Sequence, residues 1–157
     1  MKTQSGVVIG IVKSLKDDRG QARVELEFPW LPDHPPSALA PVAVPLAGKQ
    51  RGMYFMPEVG DEVLVAFEHG DFDHPFIVGF LWNGGQKPPE SDPKHRVILT
   101  PGGHTLRFED NDDAKKIVIK SSGGLEITLD DNTASPSIQL NGGGRSLVLK
   151  DGQVQIS

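Results

Sequence analysis

Gly60-Asp61-Glu62-Val63-Leu64-Val65-Ala66-Phe67-Glu68-His69-Gly70-Asp71 reads as a tight entry, a strand and a tight exit. Side chains on a strand alternate between faces, so Val63, Val65 and Phe67 make one side apolar. Gly60-Asp61 supplies the entry, and Gly70 permits the turn into Pro75-Phe76-Ile77-Val78-Gly79-Phe80-Leu81. Upstream, Val7 to Val12 is β-branched and strand-like. Ala22 to Phe28 alternates, with Ala22, Val24, Leu26 and Phe28 on one face. Lys16-Asp17-Asp18-Arg19-Gly20 joins these two runs as a hairpin turn. Pro29 ends the ladder because it has no N–H to donate. Pro32 to Ser37 is a surface loop, Pro41-Val42-Ala43-Val44 a short third strand, and Gly48 to Pro57 a connection containing glycines and aromatics. Five strands with hairpin turns in about 80 residues suit a five-stranded Greek-key barrel, the OB-fold.

The chain changes character after Trp82-Asn83-Gly84, where the last barrel strand breaks. Gln86-Lys87-Pro88-Pro89-Glu90-Ser91-Asp92-Pro93 is a stiff, extended linker. Beyond it, short alternating runs are separated by glycines. The apolar positions are Val97 and Leu99; Leu106 and Phe108; Ile117 and Ile119; Leu125, Ile127 and Leu129; Ile138 and Leu140; Leu147 and Leu149; Val154 and Ile156. This organisation divides the chain into residues 1–84 (barrel), 85–95 (linker) and 96–157 (tail). A tail of this kind has too little apolar surface to fold alone, and an isolated meander leaves its edges unpaired. Three copies around a shared axis resolve both difficulties, whereas a monomeric β-sandwich is the plainer alternative. Seven strands at about 4.8 Å spacing would make a shaft of roughly 30 Å.

Composition narrows the function. The 157 residues contain no cysteine, so disulfides and thiolate sites are excluded. Residues 1–95 hold 9 basic and 13 acidic residues, and residues 96–157 hold 7 and 8. The net charge of -5 opposes non-specific phosphate binding. The Met1 end lacks an apolar signal-peptide core, and no run approaches the ~18 apolar residues of a membrane span. Synthesis in the cytosol is therefore expected, without a signal peptide.

Phe28-Pro29-Trp30, Pro57 to Phe67, His69-Gly70-Asp71-Phe72-Asp73-His74-Pro75 and Gly79-Phe80-Leu81-Trp82-Asn83-Gly84 occur in that order. Together they resemble the OB domain of the VgrG and phage baseplate-assembly-V family, spike proteins of contractile injection machines. The resemblance covers nearly all of residues 7–84 and continues more loosely to about Phe108. Phe72 departs from it, since the family usually has proline there.

The resemblance implies an all-β protein, an OB-fold barrel followed by a trimeric β-helix or β-prism needle, with no catalytic activity and no cofactor. It implies the central spike of a contractile tail or phage-like injection particle, in transient contact with a target envelope. Such a spike is cytoplasmic during assembly and then part of a virion or secreted particle. Its implied partners are its own copies, a baseplate hub and a PAAR-type tip protein, and it admits effector cargo. The short lead before the barrel suggests that the hub is a separate protein, and the 85–95 gap leaves no room for a lysozyme domain. Leu147, Leu149, Val154 and Ile156 are the candidate tip contacts, and Lys2, Gln4, Asp33 and His34 the candidate hub contacts.

Other constellations are weaker. His69, Asp71, Asp73 and His74 have residue types that hold divalent metals, but they lie on a hairpin turn. They would anchor a metal-dependent hydrolase reading. Glu109-Asp110-Asn111-Asp112-Asp113 lacks the glycine and distal glutamate of a calcium loop. Gly142-Gly143-Gly144-Arg145 has no following helix to bind an anion and reads as a turn. Trp30, Tyr54 and Phe55 could stack on bases or sugars. That supports an alternative reading as an OB-fold module for single-stranded nucleic acid or oligosaccharide.

Overall fold

The computed structural model describes residues 4–33 and 35–157, so Lys2 and His34 lie outside the described residues. The chain forms two compact units, Met1–Lys87 and Pro88–Ser157.

In the first unit the strands are β1 (Val7–Ser14), β2 (Arg23–Glu27), β3 (Ala40–Pro41), β4 (Ala47–Gly48), β5 (Arg51–Gly52), β6 (Glu62–Phe67) and β7 (Pro75–Phe80). The main sheet runs β3-β2-β1-β6-β7. A parallel bridge between Val42 and Ile77 brings its two ends together, and the Ala43 N–H donates to the Ile77 carbonyl at 2.8 Å. Five strands are thereby bent into a nearly closed barrel that fits an OB-fold. The third strand is shorter than its sequence suggests. Pro41 has no N–H for a continued ladder, so only Ala40–Pro41 pairs with β2 before the chain crosses to β7. The 48–57 connection, together with Ala47 before it, forms a small hairpin, β4–β5.

The alternating positions fill the barrel. Val24, Leu26, Phe28, Val63, Val65 and Ile77 are fully buried. Phe28 is the hub of an aromatic cluster, with ring centroids 5.7 Å from Trp30, 5.8 Å from Phe67 and 5.3 Å from Phe72. Gly10 makes room for it, because a Cβ there would stand 3.4 Å from the Phe28 ring and 3.2 Å from Val65. Phe72 stacks on Phe67 at 5.2 Å, so the residue that departs from the family pattern serves as packing. Ala22 leaves the expected strand face with φ 56, and β2 starts at Arg23.

Asp17 organises the β1–β2 turn. Its carboxylate accepts the backbone N–H groups of Arg19, Gln21 and Arg23 and pairs with the Arg23 guanidinium at 2.7 Å. The Arg23 side chain, reinforced by those N–H groups, holds the carboxyl far below the usual aspartate range. A depressed folded-state pKa stabilises the fold above the unfolded value, and that contribution is lost as pH falls. The stability difference between the wild type and Asp17→Asn should therefore be full above about pH 4 and shrink below it. Denaturant midpoints from pH 7 to 2.5 check this; a pH-independent difference would mean that the carboxylate charge is immaterial.

The second unit is one antiparallel meander of β8 (His95–Leu99), β9 (Thr105–Asp110), β10 (Lys115–Lys120), β11 (Glu126–Asp130), β12 (Ser137–Gly142), β13 (Arg145–Lys150) and β14 (Gln153–Ile156). They lie side by side in chain order, a single layer rather than the two layers of a sandwich. Gly143-Gly144 and Asp151-Gly152 close two-residue hairpins with positive φ at all four residues. The glycine run is thus a turn, as expected. The second half of the linker is fastened to the sheet. Glu90 accepts N–H groups from Ser91 and Asp92 and meets His95 Nδ1 at 3.1 Å and Arg107 Nη2 at 2.9 Å. The Asp92 and Ser91 N–H groups, then His95 and Arg107, pull the Glu90 carboxyl down to about 2.

One expected apolar pair is out of phase. Val97 and Leu99 stand opposite Arg107 and Thr105, whereas Ile98 stands opposite Leu106. A one-residue shift exchanges the two faces of a strand. Ile98, not Val97 or Leu99, therefore continues the apolar side.

Candidate functional site

The strand register of the second unit assembles its apolar positions into two straight rows. Phe108, Ile117, Leu129, Ile138, Leu149 and Val154 are successive cross-strand partners. Ile98, Leu106, Ile119, Ile127, Leu140, Leu147 and Ile156 form the second row beside them. Most of these side chains are more than a third exposed, and none of the buried apolar residues belongs to this unit. The opposite face carries ion pairs instead. Lys116 meets Asp130 at 3.1 Å and Lys120 meets Glu126 at 3.7 Å. Arg107 Nε lies 3.0 Å from Glu109 as an ionic contact without hydrogen-bond alignment. One face of the sheet is thus self-sufficient in water, and the other is a continuous apolar surface of the kind that marks an interaction site.

The four tip candidates come together at the end of these rows. Leu147 pairs with Ile156 and Leu149 with Val154 across the β13–β14 hairpin, all on the apolar face. β14 is an edge strand of the sheet, and Val154 and Ile156 are 64% and 78% exposed. Of the hub candidates, Gln4 and Asp33 line one apolar groove of the barrel with Trp30, Leu31, Pro35 and Phe72. The Gln4 N–H donates to the Gly70 carbonyl at 2.9 Å, and Asp33 has φ 62.

The weaker constellations resolve into local structure. His74 Nδ1 lies 3.0 Å from Asp71 Oδ2. The N–H of Asp73 and then His74 hold the Asp71 carboxyl low. Asp110 and Asp112 pair with Arg96 and Lys94 at 3.0 and 2.6 Å. Among the described residues no three acidic, histidine or cysteine side chains are grouped to hold a metal ion. Tyr54 and Phe55 line a groove beside β4–β5, while Trp30 lines a different one, so the three aromatics do not form one stacking platform. No helix among the described residues is long and apolar enough to cross a membrane.

A second exposed apolar surface went unread in the sequence. On the outside of β1, β6 and β7, Val7 stands opposite Ala66 and Ala66 opposite Phe76, while Ile9 stands opposite Leu64. Val7, Ile9, Phe76 and Val78 are 36–55% exposed. The signal was available. Val7-Val8-Ile9-Gly10-Ile11-Val12 and Phe76-Ile77-Val78 are continuous rather than alternating, as in strands covered on both faces.

A nearly closed five-strand barrel followed by a sheet with one exposed apolar face defines an OB-domain protein. Residues 8–82 match the type VI secretion system/phage-baseplate injector OB domain, and this barrel domain belongs to the VgrG and baseplate-V family. Over 113 residues, 64% of the chain, it is 33% identical to the actin cross-linking toxin VgrG1 of Vibrio cholerae. It is 34% identical over 107 residues, 60% of the chain, to the type VI secretion system spike protein VgrG3 of the same species. A type VI spike protein of Pseudomonas aeruginosa, VgrG5, is 32% identical over 127 residues, 73% of the chain. The matched region spans 10%, 10% and 16% of those relatives' lengths.

Proposed function

We propose that this chain is a structural, non-catalytic segment of the central spike of a contractile injection machine, assembled as a homotrimer. The observation that carries this reading is the pair of exposed apolar rows on a sheet without a core of its own. Two sheets placed face to face would cover the rows but leave every edge open. Three sheets wound about one axis cover the rows with their strands stacked along it, which leaves β14 at one end of the shaft. In that arrangement the barrel seats on a baseplate hub, with Gln4, Asp33 and the undescribed Lys2 and His34 as candidate contacts. The needle transmits contraction force to the target envelope through interchain packing. The last rungs, Leu147, Leu149, Val154 and Ile156, offer an apolar end for a PAAR-type tip protein.

Light scattering on the full chain and on residues 1–87 tests the core of the reading. The full chain should have the mass of three copies, and the barrel alone should lose most of that association. A monomeric full chain would end the proposal, and a dimer would replace the three-fold arrangement with a face-to-face pair. Deleting Val154 to Ser157 should preserve the trimer and abolish capture of a PAAR-type protein. Capture at unchanged strength would place the tip contact elsewhere.

A further inference from the structure

We infer that the barrels themselves form a head-to-tail ring, in which the β4–β5 arm of one copy lies on the outer β1–β6–β7 face of the next. The inference rests on the trimeric reading above and specifies a second interface within it.

The outer face has no cover in the single chain. Val7, Ile9, Phe76 and Val78 are exposed, with Leu64 and Ala66 half-buried between them. The strands beneath are already filled on their inner side by Val63, Val65 and Ile77, so this is a second apolar layer and not the edge of the core. Next to β3, the β4–β5 arm carries Leu46, Met53, Tyr54 and Phe55, which are 42–77% exposed, on a groove that shares no residue with the outer face. Together with Val42 and Val44 they border a groove of about 590 Å³. The arm and the face are separate patches of one barrel. A three-fold ring requires that separation, because each copy must offer one surface to the neighbour on its left and a different one to the neighbour on its right.

Charge selects a second copy as the occupant. Lys49 and Arg51 are the only lysine or arginine residues between Arg23 and Lys87, and both sit on the arm. Neither has an ion pair among the described residues: the Arg51 guanidinium folds back over Gly48, where a Cβ would lie 2.9 Å from Cζ. The outer face is bounded by acid at both ends of β6, with Glu62 opposite Ile11 at one and Glu68 just past Phe67 at the other. A basic-tipped apolar arm and an acid-bounded apolar face are complementary halves of one contact, and both are on the same chain.

The absence of cysteine allows a direct test in the full chain. Tyr54→Cys and Val78→Cys are made separately and together, treated with a short bis-maleimide, and weighed by light scattering in parallel. The double variant should give covalently linked chains in yields on the order of tenfold above either single variant, because an interface holds the thiols at millimolar effective concentration or more. Adding Arg51→Glu should lower that yield several-fold, and adding Glu62→Arg to it should restore it. A trimeric mass with no excess cross-linking in the double variant overturns the ring and leaves the trimer standing. A monomeric mass overturns both. Cross-linking that ignores both charge changes overturns the arm-on-face pairing.

Discussion

Phe28→Ala is expected to destabilise the barrel by about 3–5 kcal/mol, the range for removing a buried aromatic from a packed core. Phe28 is fully buried and touches three other rings, so truncation opens a space that no single neighbour can enter. Gly10, directly against the ring, has no side chain to swing into it. Phe67 and Phe72 stack with each other at 5.2 Å but rest on Phe28, so the end of the barrel loses its floor along with the side chain. Trp30 lies 5.7 Å away and serves as a fluorescent reporter of the barrel transition. Guanidinium titration of the wild type, Phe28→Leu and Phe28→Ala should give midpoints that fall in that order. A loss below about 1 kcal/mol for the alanine variant would show that the aromatic cluster does not hold the barrel together.

The barrel's inner face was legible because its strands alternate where it matters. Val24, Leu26 and Phe28, and then Val63, Val65 and Phe67, each occupy every second position, and all six are buried. The tail was legible for the same reason from Leu106 onward, where Leu106 and Phe108, Ile127 and Leu129, Ile138 and Leu140, and Val154 and Ile156 alternate with polar residues. Val97-Ile98-Leu99 offers both phases at once, and only pairing with β9 decides between them. The β4–β5 hairpin was hidden because its ladder is two residues on each side, set by a turn with Gln50 at φ 57 rather than by any hydrophobic pattern. The outer face of β1 and β7 was missed for the opposite reason. A continuous apolar run satisfies the inner-face pattern so readily that the residues left over, Val7, Ile9, Phe76 and Val78, raise no conflict until their exposure is seen.

Ile127→Asp should convert the full chain from three copies to one while leaving the barrel folded. Ile127 sits in the middle of the second apolar row, opposite Ile119 on one side and Leu140 on the other. In a single chain it is 39% exposed, so an aspartate there costs the isolated sheet little. In the assembled needle three such carboxylates would face one axis away from water. Burying an unpaired ion costs several kcal/mol even after relaxation, and like charges at short range add to that cost. The penalty therefore falls on assembly and not on the strand. It should also depend on pH: protonating the carboxylates in mild acid should recover part of the trimer. Gln139→Glu supplies the control, since Gln139 stands opposite Thr128 and Val148 on the polar face and adds a charge at similar depth in the sheet. Light scattering across pH 4.5 to 8 separates the cases. Loss of the trimer in Ile127→Asp alone, reversed in acid, assigns the apolar rows to the axis. Equal masses for both variants at every pH would mean that the copies meet through another surface and that the rows face outward.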